Sequence, residues 1–418
     1  MEDTICAIAT ASGVGAISII RVSGSDAINI VNGIFDGKDL TKVPSHTINY
    51  GFIVDNNEKI DEVLISVMKS PKTFTKEDVV EINTHGGYAV TNKVLEILLS
   101  HGCRLAEPGE FTKRAFLNGR IDLIEAEAVM DMIDSKTDIQ RKMAINQISG
   151  KTSNLINELR DDMIQIISNI NVNIDYPEYD DVDIITDEVL LPKITNLKNK
   201  INEILKESKN GKIIKEGIKT SIIGRPNVGK SSLLNALIEE DKAIVTDIAG
   251  TTRDIVEGNI VLNGIPLNII DTAGIRSTDN VIEAIGVEKS LKLIDESDLI
   301  LFMLNNNEAL TDDIKELLNK VQDKKYIIII NKIDLDSNLD RSLLNSYQNN
   351  IVEISVKENK GIDTLKDKII SLFNLEELNT KDPTYLSNVR SINILNTCLD
   401  KVNDIENAVK NNLPIDMI

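Results

Sequence analysis

The stretch GRPNVGKSS, residues 224–232, sets Gly224, Gly229, Lys230 and Ser231 in the spacing GxxxxGK[ST]. Glycines at these points let backbone N–H groups close on phosphate oxygens. The apolar helix SLLNALI that follows adds the positive end of its dipole, Lys230 reaches the β/γ-phosphates, and Ser231 can hold Mg2+. A plain glycine-containing strand-to-helix turn could carry the same letters, so the companions of the motif decide its meaning. Asp271, Thr272, Ala273 and Gly274 form DTAG after the apolar run LNII, where a carboxylate can reach Mg2+ through water and a glycine N–H can sense a γ-phosphate. Asn331, Lys332 and Asp334 form NKID after YIIII, and Ser355 follows IVEI. In NKxD the Asp accepts hydrogen bonds from guanine N1–H and the 2-amino group while the Lys packs on the base. Adenine would leave that carboxylate unpaired, which is a strong rejection. Motifs in this order imply a guanine-nucleotide site, GTP being the natural ligand, with phosphate contacts from Asn227, Val228, Gly229, Lys230, Ser231 and Ser232.

Between the first two motifs lies TDIAGTTRD, which supplies Thr246, Asp247, Ile248, Ala249, Gly250, Thr251 and Thr252. Its hydroxyls can complete Mg2+ coordination, and Thr252 is the expected ligand. A Ras-type GTPase carries a water-orienting Gln directly after the DxxG glycine, whereas this chain has Ile275 there. Hydrolysis must be assisted in another way.

Such motifs work only if strands deliver them to one edge. Short apolar runs at 220–223, 267–270, 299–304, 326–330 and 351–354 alternate with helical stretches, which predicts a parallel doubly wound sheet over 216–375. Residues 1–118 mix alternating apolar stretches with glycine and proline turns and read as α+β. Helical periodicity fills 119–215, with Leu155, Leu159, Met163, Ile166, Ile170 and Ile174 on one face. The acidic run 175–188 reads as a solvated loop. Periodicity returns in 376–418, through Leu395, Leu399, Val402 and Val409; that segment is too short to bury its own face and is expected to pack on the earlier helices. The fold class is therefore multidomain α/β, with the P-loop sheet inserted in an all-α helical domain.

The whole chain of 418 residues has 42% hydrophobic and 27% charged residues, ordinary globular values, and no apolar run approaches the ~20 residues of a membrane span. Lys and Arg number 46 against 66 Asp and Glu, a net charge of −20, so broad adhesion to nucleic acid is not expected, although a local basic patch can still dock a folded RNA. Three cysteines without CxxC spacing argue against a disulfide framework or a thiolate metal site, and a cytoplasmic setting is expected.

GRPNVGKSS, TDIAGTTRD and IDTAGIR together resemble the MnmE/TrmE family of tRNA modification GTPases, as does PGEFTKRAFLNGRIDLIEAEAV at 108–129. The resemblance implies K+ beside the phosphates in place of an arginine finger, held by positions matching Asn227, Thr246, Ile248 and Thr251. It aligns the family's water-orienting Glu with Glu283, which would otherwise read as a solvated helix acid. Glu283, Lys230 and Asp271 are then the catalytic set. It also implies an N-terminal domain that dimerises and binds 5-formyltetrahydrofolate through Arg21, Glu81 and Arg120. Of these, Arg21 and Arg120 would otherwise read as surface ion-pair partners. A homodimer, an FAD-carrying MnmG-type partner in a heterotetramer, and tRNA as substrate follow from the same likeness. The customary Cys-x-Gly-Lys ending has no match in NNLPIDMI, and Cys398, mid-helix in NTCLD, reads as a packing residue; the hydrolytic motifs do not depend on it. A competing expectation is an Era-like or EngA-like ribosome-assembly switch, which would need an RNA-binding appendage with a basic groove.

Overall fold

The computed structural model describes residues 3–175, 187–240, 259–270, 287–380, 384, 386–411 and 413–414. The chain separates into two compact units, with the break between Met130 and Asp131.

The first unit is built on strands β1 (Ile5–Ile8), β2 (Ile17–Ser23), β3 (Phe35–Asp36), β4 (Thr47–Asp55), β5 (Glu58–Met68), β6 (Val79–His85) and β7 (Arg104–Leu105). They form one sheet in the order β3-β4-β5-β6-β2-β1-β7, antiparallel except where β7 joins β1. Alternation along β2 buries Ile20 and Val22 with Ile65, Val67, Val80 and Ile82. Helices α1 (Ala27–Gly33) and α2 (Tyr88–Ser100) add Val31, Val94 and Leu98 to that core. The opposite parity carries polar residues: Arg21 of β2 lies directly across from Glu81 of β6. Helix α3 (Glu110–Leu117) comes from the PGEFTKR segment.

In the second unit the single helical run read from periodicity is broken into α4 (Leu123–Asp134, which begins in the first unit), α5 (Asp138–Ile148) and α6 (Lys151–Asp175). The break before α5 has a local cause: Thr137 and Gln140 form a reciprocal capping box. Helix α7 (Asp187–Glu216) buries Leu190, Ile194, Leu197 and Ile201, and the helix Val389–Lys410 packs along it with Lys198 paired to Glu406 at 2.6 Å. Most of the acidic run lies outside the described residues.

Strands β8 (Ile218–Gly224), β9 (Asn259–Leu262), β10 (Ile265–Ile269), β11 (Leu299–Asn305), β12 (Lys325–Asn331) and β13 (Ile351–Glu353) form a second sheet. Its order is β13-β12-β11-β8-β10-β9. All seven residues of β11 are buried, as expected of a strand covered on both faces. The sheet is not wholly parallel: β9 runs antiparallel to β10. The cause is the Asn263-Gly264 turn, with φ of 49° and 80°, the conformation of a two-residue hairpin. Among the described residues no helix is long and apolar enough to cross a membrane.

Candidate functional site

Strand β8 ends at Gly224, and α8 (Lys230–Glu240) begins at the motif lysine, so residues 225–229 form the turn between them. Asn227 takes φ 62° and Gly229 φ 100°. Asparagine tolerates the left-handed region, whereas at Gly229 a Cβ would also collide with Nδ2 of Asn331. The Lys230 ammonium donates to the carbonyls of Gly224 at 2.8 Å and Arg225 at 3.0 Å, folding over the turn where phosphate oxygens would compete for it. Val228 is buried, and Ser231 occupies the first turn of α8.

The NKID motif stands on the end of β12, two strands from β8. Asn331 donates from Nδ2 to the Val228 carbonyl at 2.8 Å, and its Oδ1 accepts from the Val356 N–H at 3.3 Å. One buried amide thus ties the phosphate turn to the NKID and Ser355 segments. Lys332 sits at φ 63°, uncommon for lysine, and its ammonium donates to the Asn227 carbonyl at 2.8 Å. Asp334 is exposed and accepts from the Ser355 hydroxyl at 2.7 Å, which holds its carboxyl below the ordinary carboxylate range. Of the residues expected at this site, the structure gathers Asn227, Val228, Gly229, Lys230, Ser231, Asn331, Lys332, Asp334 and Ser355 at the carboxyl end of the sheet, with Ser232 exposed in the first turn of α8. The positions Thr246, Asp247, Ile248, Ala249, Gly250, Thr251, Thr252, Asp271, Thr272, Ala273, Gly274 and Glu283 lie outside the described residues.

A second cluster occupies the polar face of the first sheet. Arg21 donates through Nε to Glu81 at 2.9 Å and closes the pair through its terminal nitrogen at 2.7 Å. Its guanidinium lies 5.6 Å from the Phe74 ring centre and 5.5 Å from that of Phe111. Arg120 stacks on Phe74 at 4.9 Å and donates to the Phe74 carbonyl at 3.2 Å. Arg21 and Arg120 therefore meet at one aromatic ring, and Glu81 joins them through its pair with Arg21. Phe74 and Phe111 are not foreseen from sequence, since nothing in KTFTKED or EFTKRAF marks either ring as part of a site.

A buried ion cluster supports this platform. Arg114, 1% exposed, donates to the Asp3 carboxylate at 2.8 Å, to Glu77 at 3.1 Å and to Glu110 at 3.2 Å. Arg104 pairs with Asp3 and with Glu110, each at 2.6 Å, and drives the Glu110 carboxyl down to about 2. The cluster pins the loop before β6 through Glu77, three residues beyond Phe74. The three cysteines are free thiols; Cys6 and Cys103 are buried in the first core and Cys398 is half-buried in its helix.

Comparison with known proteins gives a consistent result. Residues 123–418 match the family model described as MnmE helical domain, and residues 4–120 match the one described as GTP-binding protein TrmE N-terminus. Two curated relatives are each called tRNA modification GTPase MnmE, from Bacillus thuringiensis (strain Al Hakam) and Bacillus anthracis. Both are 53% identical over 420 residues, spanning all of this chain and 92% of the relative. Among solved structures, the G domain of the T. maritima FeoB iron transporter is 25% identical and covers 37% of this chain and 98% of its own, with a TM-score of 0.26.

Proposed function

Because the chain belongs to the MnmE family of tRNA modification GTPases, we propose that it couples GTP hydrolysis to modification of the tRNA wobble uridine at carbon 5. In this reading it acts as a homodimer, with an FAD-carrying MnmG-type protein as its partner in a heterotetramer. The chain is a GTP-hydrolysing enzyme that acts in tRNA modification. One observation carries the mechanistic reading: Asn331 binds the phosphate turn and the Ser355 segment at once, so base recognition and phosphate position are mechanically joined.

Lys230 leaves its two carbonyls to meet the β/γ-phosphates, and Asp334 accepts from the guanine edge while the Lys332 stem packs against the base. Ser231, in the first turn of α8, has the oxygen donor that Mg2+ prefers, and Thr252 would complete its coordination. Asn227, Thr246, Ile248 and Thr251 would hold K+, for which side-chain and backbone oxygens are suitable ligands. The two cations supply the positive charge that a phosphoryl transition state needs and that Ras-type enzymes take in part from an arginine. Asp271 would position a Mg2+-bound water and Glu283 would orient the attacking one. Turnover would rise when the two GTPase units of the dimer meet face to face.

At the first unit, Phe74 offers its ring to a flat heteroaromatic, and Glu81 can accept from the 2-amino-pyrimidinone edge of a folate such as 5-formyltetrahydrofolate, with Arg21 and Arg120 on either side. Nucleoside analysis of tRNA from a strain lacking the gene tests the function. Loss of the modified wobble uridine, restored by this chain, is expected. Intact tRNA with a ribosomal-subunit defect would replace this reading with the assembly-switch one.

A further inference from the structure

An open groove of about 390 Å3 lies beside the Phe74 platform, within the 300–1,000 Å3 typical of small-ligand sites. Its wall includes Phe74, Arg120, Lys72, Lys76, His46 and Met68, and among the described residues no carboxylate lines it. In a chain with net charge −20 that is a local reversal of sign. The cations are also unspent: among the described residues Lys72, Lys76 and Arg120 make no ion pair. Lys76 donates only to the Gly119 carbonyl at 2.9 Å, and Arg120 only to the carbonyl and ring of Phe74. Of the acids close by in sequence, Glu77 pairs with Arg114, and Asp78 accepts from the Ser70 N–H at 2.8 Å. The groove is continuous with the platform, because Phe74 and Arg120 belong to both.

We propose that this groove binds the oligo-γ-glutamyl tail of a folate whose ring system rests at Phe74, with Lys72 and Lys76 pairing successive tail carboxylates. The inference rests on the folate reading of Arg21, Glu81 and Arg120 and adds to it two residues and a preference for long tails. A folate ring alone calls for no such row of cations. An RNA backbone would also be attracted, but the shared wall with an aromatic platform and the small volume favour a thin tail attached to a flat head.

Calorimetry on the full chain with mono-, tri- and pentaglutamyl 5-formyltetrahydrofolate tests it. The pentaglutamate is expected to bind roughly three- to tenfold tighter than the monoglutamate, since each exposed pair contributes modestly. The gain should shrink in high salt. In the Lys72→Gln/Lys76→Gln variant the gain should vanish while monoglutamate affinity is unchanged, which also shows that the variant is folded. Equal affinity for all tails, or a gain that survives in the variant, overturns the tail site and leaves the folate reading standing. No binding of any folate overturns both. Loss of tRNA affinity in the variant, with no dependence on tail length, would overturn the tail site and assign the groove to RNA instead.

Discussion

Asp334 accepts from Ser355 and is held below the ordinary carboxylate range, so it stays ionised and purely an acceptor at neutral pH. Asp334→Asn turns part of that edge into a donor. GTP affinity should fall on the order of 100-fold and xanthosine triphosphate, with a carbonyl at position 2, should gain; competition binding with the two nucleotides reads both changes. Asn331→Ala leaves the Val228 carbonyl without its buried partner, and should cost about 1–3 kcal/mol of stability in denaturant titration together with a loss of nucleotide affinity. At the platform, Glu81→Ala should abolish calorimetric binding of 5-formyltetrahydrofolate, and an unchanged affinity would remove Glu81 from the site. The ion cluster predicts a pH dependence. Arg104 lowers the Glu110 carboxyl from 4.5 to about 2, so its contribution is complete above the unfolded value and is lost as pH falls from about 4.5 towards 2. Urea midpoints over that window should decline, and Arg104→Met should flatten the decline. The GRPNVGKSS and NKID motifs are legible in the sequence because each is a run of adjacent residues at the end of a strand, β8 and β12. The platform is only half legible: Arg21, Glu81 and Arg120 come from a resemblance, and Phe74 reaches them from the loop between β5 and β6, which no local pattern marks.

At the scale of elements, the connection from α7 to β8 carries strain that its sequence accommodates. Gly217 adopts φ 74°, and a Cβ there would lie 2.5 Å from the Pro266 carbonyl of β10. Beside it, the Gln140 side chain donates to the carbonyls of Ile214 and Lys215 at 3.0 and 3.1 Å, closing the end of α7. Gly217→Ala should therefore lower the stability of the second unit by about 2 kcal/mol or more, read as a fall in melting temperature, because both the backbone region and the space oppose it. Apolar runs locate β8, β10, β11, β12 and β13 within a residue or two of each end. Hydrophobicity does not announce β9, since Asn259–Leu262 is short and its clue is the Asn263-Gly264 pair. The helical run over 119–175 reads as continuous because a 3.6-residue period persists across short capped breaks such as Thr137.

Across the whole molecule, the net charge of −20 confines any polyanion to local basic ground, and the groove beside Phe74 is one such place. Ile275 stands where a Ras-type enzyme has its glutamine, and in the proposed reading an ion and a second subunit take over that role. The dependence on the ion is measured by steady-state GTP turnover of the full chain in KCl against NaCl at equal ionic strength, with ATP as the control nucleotide. Turnover of GTP should rise on the order of tenfold or more in KCl, and ATP should be hydrolysed poorly in both salts. Equal GTP rates in the two salts, or comparable hydrolysis of ATP, would contradict it.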